Sequence, residues 1–338
     1  MGGVLQPGIL APNFCLPAAN LERPVTLAEQ RGKMVLLLFL PDPLTDEVSA
    51  QLLQFQQRTG QRAASPAVAI GISDAPREAL RSFAARGGIA FALANDSGPG
   101  RSVGSRYGVR SEDGALLPAA FLIDEEGLVR RAYDPDPSGR LPNPAAVERA
   151  LNRLGDTPKP APVTDDDWRL GPQHAPVTVI EYSDYECRLC TEAHHLLREV
   201  ARIYGSSLLV VHRHYLLRRT HPHAQLAAEA AEAAGAQGRF WEMHAQLFEA
   251  PLGLEPEHLV ARAQAIGLDV GRFVQDLESR RFETLVNEKF QAAVRDRVKF
   301  PPALFINRIP VEGARSHAEI CARIDRLLAC NPRETPAG

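Results

Sequence analysis

Two thiols stand three residues apart in the tetrapeptide Cys187-Arg188-Leu189-Cys190. At the start of a helix, that spacing lets a disulfide close and open within a single turn. The apolar run VTVIEY (177–182) leads into the pair as a strand, and AHHLLREVARIY (193–204) leads out with helical periodicity. The first thiol then lies where unpaired backbone N–H groups favour a thiolate. A Cys-x-x-Cys pair alone can also be half of a zinc site, but the strand-turn-helix setting favours redox chemistry. Cys187 is the expected exposed nucleophile and Cys190, one turn on, the buried resolving thiol. Arg188 either stabilises the thiolate or is an ordinary solvated cation. Glu181 lies mid-strand in an apolar context, where a buried carboxylate has a raised pKa and can take the proton of Cys190, unless it reaches solvent.

Other groups of chemical interest carry weaker signals. His212 and His214 share one strand face, and His221 and His223 follow a turn; they are expected to form a polar rim and a helix start rather than a metal site. His194 and His195 are expected at ordinary helix positions. Cys321 and Cys330 are nine residues apart on the last helix. A helical rise separates them by ~13 Å, too far for a disulfide. The acidic stretch TDDDW (164–168) has no calcium-loop spacing. No metal or other cofactor is expected.

Composition sets the frame around these groups. A chain of 338 residues with 45% apolar content is long enough for about two domains with proper cores. Residues 1–163 hold 17 basic and 17 acidic side chains, and the remainder holds 21 and 24. Neither half has the basic excess expected of a nucleic-acid or membrane-surface binder. The longest apolar run, MVLLLFL (34–40), is far short of the ~20 residues of a membrane span. The start, MGGVLQPGILAPNF, does not read as a secretory signal, so the expected compartment is cytoplasmic. Five scattered cysteines do not make a disulfide scaffold.

A Pro-, Asp- and Gly-rich segment (154–176) divides the chain. The expected organisation is a domain over 1–155, a linker over 156–175, a second domain over 176–330 and a tail over 331–338. In the first half, strands at 34–40, 66–73, 91–95, 119–124 and 128–133 alternate with helices, one beginning at Pro76. Gly127 marks a hairpin between the last two strands. This order predicts an α/β fold with a mixed central sheet. In the second half, the redox turn and a strand at 208–216 precede about 80 residues of helical pattern. The sheet resumes at ALFIN (303–307) and IPVEG (309–313), and a helix closes the chain over about 316–329.

With those elements placed, the second half resembles the DsbA-like branch of the thioredoxin superfamily. The resemblance rests on YSDYECRLC (182–190), HPHAQLAAEAAEAAGAQGRFWEMH (221–244) and VKFPPALFIN (298–307). It implies a thioredoxin fold with a helical insertion, a redox pair at Cys187 and Cys190, a buried acid at Glu181 and a cis-proline at Pro302 that presents substrate. Arg188 after the first cysteine and Pro301 before the cis-proline depart from the family's usual residues.

The first half is similar to peroxiredoxins of the alkyl hydroperoxide reductase and bacterioferritin-comigratory type. PGILAPNFCLP (7–17), LLLFLPDPLTDEVSAQ (36–51), AIGIS (69–73) and FLIDEEGLV (121–129) match in order. The resemblance implies an active loop of the form Pro-x-x-x-Thr-x-x-Cys. Pro41 and Thr45 are in place, but Val48 stands at the cysteine position and the family's Arg falls at about Pro118. Peroxide reduction needs a thiolate beside a cation. The remaining thiol of this half, Cys15, is expected in the core.

The chain is therefore expected to be α/β, with two thioredoxin-fold domains of which only the second does thiol-disulfide chemistry. The expected partners are protein or small-molecule disulfides and an electron donor of unknown identity, with self-association through the peroxiredoxin-like half. Two rival expectations are an interaction protein whose Cys-x-x-Cys senses redox state passively, and a peroxide-detoxifying fusion. Val48 speaks against the second rival.

Overall fold

The computed structural model describes residues 3–60, 67–98, 102–249, 253–312 and 316–330. Two compact units divide after Asp156, the first also taking in the chain from Arg326.

The first unit opens with a short antiparallel pair, β1 (Cys15–Leu16) and β2 (Val25–Thr26). Then follow β3 (Met34–Phe39), α1 (Asp46–Gly60), β4 (Ala67–Ser73), α2 (Arg77–Gly87), β5 (Ala92–Asn95) and α3 (Ser102–Arg106). Strands β6 (Ala119–Ile123) and β7 (Val129–Tyr133) and helix α4 (Pro144–Asp156) complete it. The sheet order is β5-β4-β3-β6-β7, with β3, β4 and β5 parallel and β6 and β7 antiparallel.

All six residues of β3 are buried, as a central strand covered on both faces requires. Alternation divides them: Val35, Leu37 and Phe39 face a core with Tyr107 and Phe121. Met34, Leu36 and Leu38 face a second core with Leu52, Phe55 and Phe83. Truncating one of these leucines to Ala costs ~2–5 kcal/mol.

The β6–β7 hairpin turns at Gly127, whose φ of 80° suits glycine and whose N–H donates to Asp124 O at 2.8 Å. Two details differ from the sequence-based expectation. Pro76 precedes α2 as its extended N-cap rather than opening the helix. Cys15 is exposed, because its short strand pairs only with β2 and its side chain points away from the core.

The second unit comprises β8 (Trp168–Leu170), β9 (Val177–Ser183), α5 (Arg188–Tyr204) and β10 (Leu208–His214). Five helices follow: α6 (Ala224–Gly235), α7 (Phe240–Glu249), α8 (Pro256–Ala265), α9 (Val270–Glu278) and α10 (Glu283–Arg295). The unit resumes its sheet with β11 (Ala303–Ile306) and β12 (Ile309–Pro310), and the last described helix, α11 (His317–Cys330), belongs to it as far as Asp325. The strand order is β12-β11-β9-β10-β8, with only β9 and β10 parallel.

Seven alanines of α6 are completely buried, which makes it the hub of the inserted helices. Alanine combines the best helix propensity with a side chain small enough for close helix approach. Strand β8 lies inside the segment that reads as linker. Trp168 anchors it, stacking on Phe240 with centroids 4.2 Å apart and donating from Nε1 to Glu232 at 3.0 Å. The acidic stretch around it is held by ion pairs, Asp167 with Arg213 at 2.8 Å and Asp165 with Arg169 at 2.9 Å.

Candidate functional site

The redox turn sits where β9 ends and α5 begins. Cys187 is the N-cap of α5 with extended backbone, and its carbonyl accepts from Cys190 N–H at 2.9 Å and Thr191 N–H at 3.2 Å. The turn is stapled by Asp184, which is fully buried. Its carboxylate accepts from Glu186 N–H and from Leu217 N–H, each at 2.8 Å, and faces His221 Nδ1 at 3.0 Å. Asp184 was not singled out from the sequence. The local signal is an Asx turn, with the side chain bonding its own backbone two residues on.

The two thiols have opposite environments. The Cys190 thiol, then the backbone N–H groups of Cys190 and Leu189, stabilise the Cys187 thiolate against desolvation, and its pKa falls to about 6. Cys190 is completely buried, and burial above all pushes its thiol far up. Cys187 itself is only 8% exposed, which corrects the expectation of an exposed nucleophile. It is packed at the turn with Tyr185 and Cys190 in the core that surrounds α6.

Arg188 reaches into solvent. Its side chain is 92% exposed and sits 3.5 Å from Glu192, where solvent screens it. The peptide bond between Pro301 and Pro302 is cis. The two prolines line a cavity of about 560 Å³ together with Leu189, Ala193 and Phe300. Leu189 and Phe300 are 60% and 74% exposed, an apolar rim beside the redox turn. A second cavity of about 690 Å³ is lined by Arg188, Thr191, Glu186 and His223.

Glu181 is 2% exposed, paired in register with His212 on β10 and Leu304 on β11. Its charge is among the influences that raise the Cys190 pKa. The histidines of β10 overturn the expected polar rim. His212 and His214 are 2% and 0% exposed, because α6 and α7 cover that face of the strand. His212 Nε2 lies 3.2 Å from His214 Nδ1, and His214 Nε2 lies 3.0 Å from Glu232 Oε1.

His194, one turn past Cys190, is buried as well and stacks on Phe248. His244 on α7 contacts Tyr185 Oη at 3.0 Å. Burial first, then neighbouring charges, pushes the pKa of His194 to about 4 and those of His212 and His244 well down. Glu181, His212 and His244 each offer a ligand atom, and these lie within 4.8 Å of one another. His223 is part-exposed beside Glu186 at 3.4 Å. Cys321 is half-buried beside His317, and the side chain of Cys330 lies outside the described residues.

In the first unit, Val48 is buried in the core and its N–H faces Thr45 Oγ1 at 3.3 Å.

A strand, a Cys-x-x-Cys turn, a helix and a cis-proline beside the turn define the thioredoxin-like class, here with a helical block between β10 and β11. Residues 164–326 match the family model described as thioredoxin, of the DsbA-like kind, and residues 7–132 match that of the AhpC/TSA family. The chain thus joins two thioredoxin-like regions, the first of peroxiredoxin type and the second DsbA-like. Both are thioredoxin-fold oxidoreductase families, and the function class they suggest is thiol redox chemistry.

Among curated proteins, the Na(+)/H(+) antiporter NhaA 1 of Salinispora arenicola is 40% identical over 183 residues, 53% of this chain and 27% of that protein. The Na(+)/H(+) antiporter NhaA 3 of Salinispora tropica is 42% identical over 153 residues, 45% of this chain and 22% of that protein. The chain thus matches about a quarter of the length of these relatives. Similar solved structures include oxidised BdbD of Bacillus subtilis, at 20% identity and a TM-score of 0.47 over 50% of this chain and 97% of that one. AhpC of Mycobacterium tuberculosis aligns at 19% identity and a TM-score of 0.41 over 45% of this chain and 94% of that one. Among the described residues, no helix is long and apolar enough to cross a membrane.

Proposed function

We propose that the chain is a thiol-disulfide oxidoreductase working through Cys187 and Cys190 on protein or small-molecule disulfides. The observation that carries this reading is the asymmetry of the two thiols, one with a pKa near 6 and one raised by burial. At neutral pH about nine-tenths of Cys187 is then thiolate, while Cys190 keeps its proton until it is needed.

The Cys187 thiolate attacks one sulfur of a substrate disulfide and expels the other as a thiolate. Cys190 then gives up its proton, attacks Cys187 Sγ and releases the second substrate thiolate. The substrate disulfide is reduced to two thiols and the protein dithiol is oxidised to a disulfide; the reverse sequence oxidises substrate. Glu181, buried on the neighbouring strand, is the proton acceptor in this scheme. The cavity at Pro301, Pro302 and Phe300 offers an apolar seat for the chain that carries the substrate disulfide. Arg188 has no part in the scheme, since its guanidinium is solvated.

The peroxiredoxin-like unit is assigned no peroxidase chemistry, because Val48 supplies no nucleophile. Insulin reduction by dithiothreitol, with Cys187→Ser as the control, tests the reading. Faster reduction by the native chain alone supports it, and equal rates for the two proteins refute it.

A further inference from the structure

We propose that Glu181, His212 and His244, joined by His194, form a buried binding site for a divalent transition-metal ion of the zinc(II) class. The residues come from four elements. Glu181 and His212 are register partners on adjacent parallel strands, so their side chains leave the same face of the sheet. His194 on α5 and His244 on α7 close over that face, with ring centroids 5.0 Å apart. The His212 and His244 rings are 4.7 Å apart.

The hydrogen bonds around the cluster set which ring nitrogen each histidine can give to a metal. Glu232 is a carboxylate and accepts, so the proton of His214 is on Nε2. His214 Nδ1 then accepts from His212 Nε2, which puts the lone pair of His212 on Nδ1; Ser183 Oγ lies 3.3 Å from that nitrogen, and a metal takes the lone pair by displacing the hydroxyl. Tyr185 Oη occupies Nδ1 of His244 and leaves Nε2 for a ligand. The His212–His214–Glu232 chain is the kind of outer support that fixes the ring and tautomer of a metal-bound histidine.

His194 Nε2 is buried without a hydrogen-bond partner among the described residues, an expensive condition that a metal–nitrogen bond relieves. Glu181, His194 and His244 line one cavity of about 300 Å³ with otherwise mostly apolar walls. It supplies a route in and room for an open coordination position. Imidazole nitrogens with one carboxylate suit zinc and its first-row neighbours. The triad's ligand atoms lie within 4.8 Å of one another, against ~3.4 Å around tetrahedral zinc, so binding draws the side chains inward.

A carboxylate held by a metal does not take the Cys190 proton, so Glu181 serves the redox scheme only in the metal-free chain; the metal proposal does not rest on that scheme and is tested apart from it, on the full chain carrying Cys187→Ser and Cys190→Ser. In equilibrium dialysis against zinc(II), this protein should retain one ion that His244→Phe or Glu181→Gln weakens by about 10-fold or more. Cobalt(II) in the same protein should show ligand-field bands without thiolate charge transfer. Glu181→Gln keeps shape and carries the test if His244→Phe does not fold. No retained zinc, retention undiminished by the substitution that folds, or a thiolate band would each overturn the proposal.

Discussion

Nε2 of His214 lies 3.0 Å from Oε1 of Glu232, with both side chains buried inside the DsbA-like unit. The same carboxylate oxygen accepts from Trp168 Nε1 at 3.0 Å and from Lys289 Nζ at 2.8 Å. Burial raises the Glu232 pKa, but the bonds from His214 and Lys289 outweigh it and hold the group at about 2. One carboxylate therefore ties β8, β10, α6 and α10 together.

Removing that carboxylate strands one buried donor, His214, and two part-buried ones, Trp168 and Lys289. Glu232→Ala should destabilise the unit by ~3 kcal/mol, read as a lower urea midpoint with an unchanged slope. Glu232→Gln, which keeps one carbonyl acceptor, should lose less. Equal stability of Glu232→Ala and the native chain would show that the network contributes little.

The buried histidines should make the fold acid-sensitive. Burial lowers the pKa of His194 to about 4 and lowers His212, His214 and His244 too, against ~6.5 in the unfolded chain. Below ~6.5 the unfolded chain binds protons that the folded one refuses. This stabilisation is complete above ~6.5 and is lost as pH falls toward about 4, by up to ~1.4 kcal/mol per pH unit for each histidine. Urea midpoints at pH 7 and pH 5 should differ accordingly, and His194→Phe should flatten the difference.

Iodoacetamide should alkylate Cys187 with a midpoint at about 6 and leave Cys190 nearly untouched in the folded protein. The thiolate stabilises the reduced fold fully above the unfolded thiol pKa of ~8.5, and this is lost as pH falls through about 6. A Cys187 midpoint near 8.5 would favour the passive-sensor reading instead.

Arg188→Ala should leave that alkylation midpoint within ~0.3 pH unit of native, since a solvated cation paired with Glu192 contributes little. A rise of a full unit would mean that the guanidinium turns inward when substrate arrives.

Cys190→Ser should accumulate a mixed disulfide between Cys187 and substrate, because attack occurs and resolution does not. Cys187→Ser should form none. Mass spectrometry of the acid-quenched reaction distinguishes the two outcomes.

Much of this molecule is legible in order along the chain. The six buried residues of β3, the Gly127 hairpin and the Cys-x-x-Cys between strand and helix are local patterns. Each is dictated by side-chain periodicity or by a single backbone requirement. Val48 in place of a thiol is equally plain, since a missing nucleophile is a matter of residue type.

What escaped sequence reasoning depends on partners far away in the chain. Trp168 sits in a Pro- and Asp-rich stretch with no strand pattern; pairing with β10 makes it part of an edge strand, and Phe240 and Glu232, 72 and 64 residues on, anchor its side chain. His212 and His214 alternate as a half-exposed strand would, but α6 and α7 bury them. Arg188 is adjacent to Cys187 in sequence, yet its helix direction carries the charge into water.

The amino-acid sequence by itself determined the two thioredoxin-like regions, the position of the thiol pair and the absence of a thiol at Val48. These follow from local spacing and residue chemistry. Tertiary structure alone decided the electrostatics: the depressed Cys187, the neutral histidines and the low Glu232 pKa arise from desolvation and from donors brought in by other elements. Desolvation is a property of the folded interior, and no stretch of sequence carries it.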